Sequence, residues 1–520
     1  MASSSTSPIK IVPASDIENA REKRLDDVAP LEPDQTLSDP HDHSHQDQAR
    51  LAPPLAPSLA APPGASKNVR ALALKVRGPV EHFLHLETSG GMVLLLAAAV
   101  ALIWANSSFA HSYHALWHTP MVFNIGSVHG SVNLHFIIND VLMTIFFLLA
   151  GLEIKREIVH GELSEIRKAA LPIAAAMGGM LAPALIYVAF NPSGAASAGW
   201  GVPMATDIAF AVGILSLLGK RVPASMTILL LALAIIDDLG AILVIAIFYT
   251  ADFQMTGIYI AAAGIGVLFL WLKMGLRPGA TYLAPLAIIW TGLFVAGVHP
   301  TLAGVIVGLA TPVKPWLSEQ QFLLAAKQSL NDFEDGSVHN NESQILAAIK
   351  RLHFAAREAI SPVVRGLDQM HIWIAFGIMP LFALANAGVD LGGVDFGHPA
   401  AMKIMLGIGL GLALGKPLGV VLLSWLLVKS GFASLPKGLP WSGMLVIGLT
   451  AGIGFTMAIF IAELAFVGQP AMLALAKLAI LLGTAGAAIV GLLVGVVLLK
   501  PVSEEIAGLT PSDVERSTEY

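Results

Sequence analysis

Leu229-Leu230-Leu231-Ala232-Leu233-Ala234-Ile235-Ile236-Asp237-Asp238-Leu239-Gly240-Ala241-Ile242-Leu243-Val244-Ile245-Ala246-Ile247-Phe248-Tyr249 is apolar throughout, except for two adjacent acids and the closing tyrosine. Crossing about 30 Å of hydrocarbon takes roughly 20 apolar residues in a helix, and this run is long enough. The acids lie midway, some 18 Å from the Ser225 end at about 1.5 Å per residue. A charge at that depth costs roughly 2.5–3.5 kcal/mol on insertion scales, so the pair needs a reason to be there. Adjacent helical residues point about 100° apart. One carboxylate can therefore face a cation while its neighbour faces a water-filled cavity. Burial disfavours charge on either, and repulsion opposes ionising both. Protons and a hard cation then compete for the same oxygens. The bland alternative is a buried ion-pair network with no cargo.

Working outward, the same pattern repeats. The chain has 520 residues, 55% of them hydrophobic and only 13% charged, against about 25% charged in soluble domains. Gly91 to Ala105, Val141 to Gly151 and Ala479 to Leu499 are too apolar for a solvated surface. About twelve candidate spans follow: 90–106, 136–155, 169–190, 200–219, 224–249, 257–273, 281–297, 299–312, 371–388, 401–428, 441–466 and 471–499. The eighth is too short to cross as an ideal helix and is expected to be partial. The fold class is an all-α polytopic membrane protein. There is no cysteine, which removes disulfides, thiolate metal sites and cysteine nucleophiles. No helix has zinc-ligand spacing or a serine–histidine arrangement, so an enzyme is not expected. The net charge of −6 gives no sign of a nucleic-acid partner.

Residues 1–80 are polar and rich in Ala, Pro, Ser and Asp, and are expected to be a disordered tail. His41, His43 and His45 in it are read as solvated rather than metal-binding. No apolar stretch follows the start, so no signal peptide is expected. Residues 81–500 form the membrane domain, and 501–520 a second tail. Lys and Arg alternate between loops: none in Ser107 to His135, four in the next (Lys155, Arg156, Arg167, Lys168), none in Asn191 to Ala205, then Lys220 and Arg221. The alternation continues to Lys500 and places both termini in the cytoplasm. Two segments stand outside the spans. Met121 to Val132 alternates around His129-Gly130 and suggests a small outer β-hairpin. Residues 316–365 form a long cytoplasmic loop in which Phe322 to Leu330 and Ile345 to Ala359 have helical periodicity.

Other intramembrane charges gather around two interrupted helices. Gly201 and Pro203 weaken regular geometry just before Thr206 and Asp207. Asp207 then either balances exposed helix-end partial charges or ligates an ion directly. Gly448 to Thr456 holds Gly448, Gly452, Gly454, Thr450 and Thr456, poor for a continuous helix; close packing through small residues is the alternative. Spans 169–249 and 401–499 each carry their interruption in the middle, as inverted repeats would. Lys416 lies well inside the Met405 to Val428 run, where a lone ammonium needs a partner such as Asp237 or Asp238. Lys403 and Lys477 lie near span ends and are read as snorkelling. Glu153, Arg156 and Glu157 end the second span; they form a cation-attracting or pH-responsive cluster, or a plain charged helix end.

At these residues the chain resembles the NhaA-type sodium/proton antiporters. The likeness runs from about Ser89 to Lys500, apart from the long loop. It is carried by Phe146-Phe147-Leu148-Leu149-Ala150-Gly151-Leu152-Glu153-Ile154-Lys155-Arg156-Glu157, Ala205-Thr206-Asp207-Ile208-Ala209-Phe210, Ala232 to Gly240, Gly415-Lys416-Pro417-Leu418-Gly419 and Gly452-Ile453-Gly454-Phe455-Thr456-Met457. The general link between interrupted helices and transport sites draws partly on this same family and is not independent support. The resemblance implies electrogenic, pH-regulated exchange of Na⁺ or Li⁺ for H⁺ by alternating access, in a bacterial inner membrane. The ions are cargo, and no resident cofactor is expected. It implies Na⁺ and proton binding at Asp237 and Asp238, Lys416 paired to Asp237, Asp207 and Thr206 at the crossing, Gly452 and Gly454 in the second interruption, and a pH-responsive cluster of Glu153, Arg156 and Glu157. It also implies a homodimer in which the outer hairpin takes part. The long loop and tail depart from the family pattern, and Leu367 stands where well-known members carry an acid. The alternative function is a sodium-coupled symporter of a small organic anion, which needs a larger polar cavity.

Overall fold

The computed structural model describes residues 87–125, 128–250, 253–277, 279–339 and 341–500. Both expected tails, 1–80 and 501–520, lie outside the described residues. Apolar runs in lipid must satisfy their own backbone, which leaves helices as the economical answer here. In chain order these are α1 (Glu87–Ala105), α2 (Ala110–Trp117), the strands β1 (Pro120–Ile125) and β2 (Val128–Asn133), α3 (Leu134–His160) and α4 (Ile166–Phe190). A tight 3₁₀ segment, Ala195–Met204, precedes α5 (Ile208–Ser216). Then follow α6 (Ala224–Phe248), α7 (Met255–Lys273), α8 (Leu283–Val295) and α9 (Leu302–Ala310). The remainder is α10 (Glu319–Val338), α11 (Glu342–Glu358), α12 (Pro362–Asn386), α13 (Ala401–Lys429), α14 (Trp441–Ala451), α15 (Phe455–Ala465) and α16 (Pro470–Leu498).

The molecule is a polytopic all-α membrane protein. Among the described residues, seven helices are long and apolar enough to cross a membrane, and three bent pairs bring the number to ten. Helix is present in each of the twelve stretches anticipated from the sequence. Of these, α9 is about 14 Å long at 1.5 Å per residue, under half the hydrocarbon thickness, which fits a partial helix. Large apolar side chains face outward along the helices, for example Ile103 at 71% and Val497 at 78% exposure. Such a surface suits lipid rather than water.

The two strands pair antiparallel, with Pro120 opposite Asn133 and Ile125 opposite Val128. Their connection is therefore at 126–127. The sequence had centred the turn on His129-Gly130; instead both lie in β2, opposite Asn124 and Phe123. The stretch before it, a loop by its sequence, contains α2, anchored by buried Tyr113 and Trp117. Tyr113 donates from its hydroxyl to the Leu384 carbonyl at 2.9 Å.

Three features of the fold position the site. Gly178 of α4 lies against Gly419 of α13 so closely that a Cβ on either would strike the other's carbonyl. This small-residue contact presses α13 against α4. One turn earlier α13 widens into a π turn, Gly411–Gly415, directly before Lys416. Insertions of this kind re-aim the residues that follow. Finally, the pairs Ala195–Met204/α5 and α14/α15 bend by 44° and 47° at their breaks. The two breaks touch: the Asp207 amide donates to the Ile453 carbonyl at 2.7 Å.

Candidate functional site

A broken helix exposes two kinds of end. The first half offers unpaired carbonyls and partial negative charge; the second offers unpaired amides and partial positive charge. The touching breaks bring four such ends together inside the protein, where each needs a partner.

Asp207 serves both positive ends. Its Oδ1 accepts from the Phe210 amide at 3.1 Å, capping α5. Its Oδ2 accepts from the Thr456 amide at 3.2 Å and the Thr456 hydroxyl at 2.5 Å, at the start of α15. Lys416 serves one negative end. Its Nζ donates to the Met204 carbonyl at 2.6 Å, to Thr206 Oγ1, and to Asp237 Oδ2 at 2.8 Å. Three acceptors use up the three ammonium protons. The Thr206 hydroxyl carries one proton and has two acceptors in range, Asp237 Oδ2 at 2.5 Å and the Ala451 carbonyl at 3.1 Å. It thus links the ion pair to the negative end of α14.

Lys416 and Asp237 are completely shielded, with side-chain exposure of 0% for both. Asp237 Oδ1, by contrast, is buried without a hydrogen-bond partner among the described residues. Asp238 turns to the other side and lines a cavity of about 120 Å³ with Glu153, Thr206, Asp207, His371 and Thr456. At roughly 30 Å³ per water, that space holds a few waters or a partly hydrated small cation. When ionised, the carboxylates of Asp238 and Glu153 give the cavity a field that attracts cations.

The structure therefore brings together Asp207, Thr206, Asp237 and Lys416 directly, with Asp238 beside them. Gly452 and Gly454 lie in the second break. A Cβ on Gly454 would come within 3.0 Å of the Ala205 carbonyl, and one on Gly452 would strike that of Leu412. Glu153 lines the cavity. Arg156 is exposed, and Glu157 accepts from the Glu162 amide at 2.7 Å, closing the turn after α3. Neither Arg156 nor Glu157 is among the cavity-lining residues.

Two cavity residues, His371 and Thr456, had not been singled out as site residues. Thr456 lay in the glycine-threonine string, and that string was the available signal. His371 opens the apolar run 371–388 and carried no motif. Toward the opposite end of α15, Lys477 pairs with Glu463 at 2.5 Å, with only 13% exposure. That corrects the snorkelling reading for Lys477, since a carboxylate from a neighbouring helix was within reach. Lys403 is exposed.

A family profile described as Na+/H+ antiporter 1 matches residues 81–495. An Na(+)/H(+) antiporter NhaA 2 from Sorangium cellulosum is 52% identical over 461 residues, covering 88% of this chain and 98% of the relative. An Na(+)/H(+) antiporter NhaA from Bordetella petrii is 51% identical over 421 residues, covering 80% and 90%. A third, from Janthinobacterium, is 49% identical over 433 residues, covering 83% and 95%. With the match spanning both helix breaks, α6 and α13, the chain belongs to the NhaA family of Na⁺/H⁺ antiporters.

Proposed function

We propose that this chain exchanges Na⁺ or Li⁺ for H⁺ across the bacterial inner membrane by alternating access, with Asp237 and Asp238 as the ion and proton site. The carrying observation is the contrast within that pair: Asp237 Oδ2 is held by Lys416 at 2.8 Å while its Oδ1 has no hydrogen-bond partner, and Asp238 faces the cavity. A cation arriving from the cavity meets Asp238 first and can recruit the free oxygen of Asp237. It then stands beside the Lys416 ammonium. Two positive charges in one desolvated site repel strongly, so cation entry favours loss of a proton from the pair-bound groups. The reverse holds when a proton returns. Mutual exclusion of cation and proton is what couples the two flows.

Thr206 and Asp207 act here as the frame of the site, and Gly452 and Gly454 as the clearance that lets the breaks touch. Glu153, with Arg156 and Glu157 about one turn on, forms the pH-responsive group. Its seat on the cavity wall supports Glu153 as the leading member. Exchange is electrogenic and driven by the proton gradient. The near-equal bends of 44° and 47° support two inverted halves, and helix in all twelve apolar stretches supports twelve crossings with both termini cytoplasmic. Exposed Met121 and Val122 on the outer hairpin suit contact between two copies in a homodimer. The small acid-lined cavity favours a cation over the organic anion of a symporter.

The test is reconstitution in vesicles with ΔpH and membrane potential followed together, comparing Na⁺, Li⁺ and K⁺. The parent chain dissipates ΔpH on addition of Na⁺ or Li⁺. Asp238→Asn abolishes the response while the protein stays monodisperse. Normal exchange by that variant would overturn the assigned site.

A further inference from the structure

Three helices that wall the cavity continue past it. α3, α12 and α15 contribute Ala150, Met379 and Thr456 to its lining. Followed away from the cavity, each helix presents an aromatic ring and then a polar group: Phe147 and Asn139 on α3, Phe382 and Asn386 on α12, Phe460 and Glu463 on α15.

These side chains meet in two layers. The ring centroids of Phe147 and Phe460 lie 5.5 Å apart and those of Phe382 and Phe460 6.3 Å apart. All three rings are buried. About 5 Å of helix rise separates Phe460 from Glu463, and there the contacts become polar. Asn386 Nδ2 donates to Asn139 Oδ1 at 2.8 Å, and Asn139 Nδ2 donates to Asn386 Oδ1 at 3.3 Å. His135 Nε2 reaches the same Asn386 Oδ1 at 3.1 Å and stands 3.9 Å from Glu463 Oε1. Lys477 of α16 holds that Glu463 oxygen at 2.5 Å. One network thus joins the ends of four helices, and those ends are the outer ones in the topology given above.

The two layers do different work. Packed rings bar ions, because an apolar constriction sheds its water. Paired amides bind helix to helix, yet each such bond is worth little net of the water bonds that can replace it. A polar layer outside an apolar plug therefore closes firmly and parts readily once water enters. A plain staple between helices has the same contacts but never needs to part.

We propose that Asn139 and Asn386, with His135, Glu463 and Lys477, form the outer gate of the exchange pathway, shut in this structure over the Phe147/Phe382/Phe460 plug, and that the gate parts once in every cycle. The proposal rests on alternating access through the cavity.

The chain has no cysteine, so introduced thiols report without background. Full-length Asn139→Cys/Asn386→Cys is reconstituted in vesicles and treated during turnover with a short thiol-to-thiol cross-linker. Bridging is scored by mass spectrometry. Na⁺-dependent ΔpH should fall at least tenfold on bridging and return on reduction. Undiminished exchange by the bridged protein would overturn the gate, since a staple made permanent does not stop transport. Thiols that never react during turnover would overturn it as well. Should the double variant be inactive before bridging, a second measurement decides. Met143 lies on α3 between Asn139 and Phe147 and is fully buried. Met143→Cys is labelled with a membrane-impermeant cationic thiol reagent in right-side-out and inverted vesicles. Adding Asn386→Ala should speed labelling several-fold from the outer side alone. Equal acceleration from both sides, or none, refutes the gate. A parent chain without Na⁺-dependent ΔpH would instead sink the functional assignment, and normal exchange by the bridged protein sinks only the gate.

Discussion

The two helix breaks bend their chains by 44° and 47°, but they are built from opposite materials. The first, Ala205-Thr206-Asp207, supplies side chains: a carboxylate for two positive ends and a hydroxyl for the far negative end. The second, Gly452-Ile453-Gly454, supplies space and backbone. Its glycines have φ of −65° and −94°, values any residue adopts, so conformational freedom does not explain them. Proximity does: a Cβ at either position would press on the carbonyl of Leu412 or Ala205. One break holds the charge, and the other holds still and comes close. Three of the four exposed helix ends at this crossing are thus served from one polar strand, because the partner strand is bare enough for its side chains to reach across, and Lys416 of α13 serves the fourth.

The division predicts unequal damage. Asp207→Ala should be the most severe change, because it strikes both breaks at once. It leaves the Phe210 amide, the Thr456 amide and the Thr456 hydroxyl without their acceptor. At about 1–3 kcal/mol per orphaned buried donor, the loss is roughly 3 kcal/mol or more. Thermal unfolding in detergent should move to markedly lower temperature, and Na⁺-dependent ΔpH should vanish. Asp207→Asn keeps one acceptor oxygen and should recover part of the stability. An alanine variant that melts like the parent would refute the shared cap.

Gly452→Ala comes next. It adds one methyl and removes no polar group, so its effect is steric. Overpacking of this kind costs about 1–3 kcal/mol. Transport should fall sharply while the protein remains folded, since α14 is forced away from the Leu412 carbonyl of α13, one turn before Lys416. Gly486→Ala is the control: nothing lies within 4 Å of its Cβ, and the change should be neutral or slightly stabilising. If the two variants behave alike, close approach is not what the second break provides.

These contrasts also show what a sequence can carry. Asp207, Asp237, Asp238 and Lys416 stood out because charge amid apolar residues is conspicuous wherever it ends up in space. The breaks stood out because Gly and Pro interrupt helix regardless of surroundings. Pairing was harder. Asp207 and Thr456 are 249 positions apart, and no local pattern shows that one carboxylate caps two helices. Glu153 is grouped with Arg156 and Glu157 by adjacency along one helix, and its place beside Asp238 on the cavity wall, across helices, has no local signal. Lys477 was misjudged for the same reason, its carboxylate partner coming from a different helix. Local chemistry was legible in one dimension; the choice of partner among several buried charges was not.

Thr206→Val should give the smallest effect and the most specific one. Valine preserves shape and removes the hydroxyl that accepts from Lys416 and donates toward Asp237 or Ala451. Lys416 then keeps two acceptors of three, and the Ala451 carbonyl loses its donor. The stability cost is about 1–2 kcal/mol, visible as a modest drop in melting temperature. The consequence for transport is larger than the cost in stability, because the lost link joins the ion pair to the far break. The sodium concentration for half-maximal ΔpH should shift, with the fold intact. Thr206→Ser restores the hydroxyl without the methyl and should return the sodium response even if stability stays slightly low. A valine variant with parental sodium response would mean that the hydroxyl only fills space, and that the two breaks meet at the site without being coupled through it.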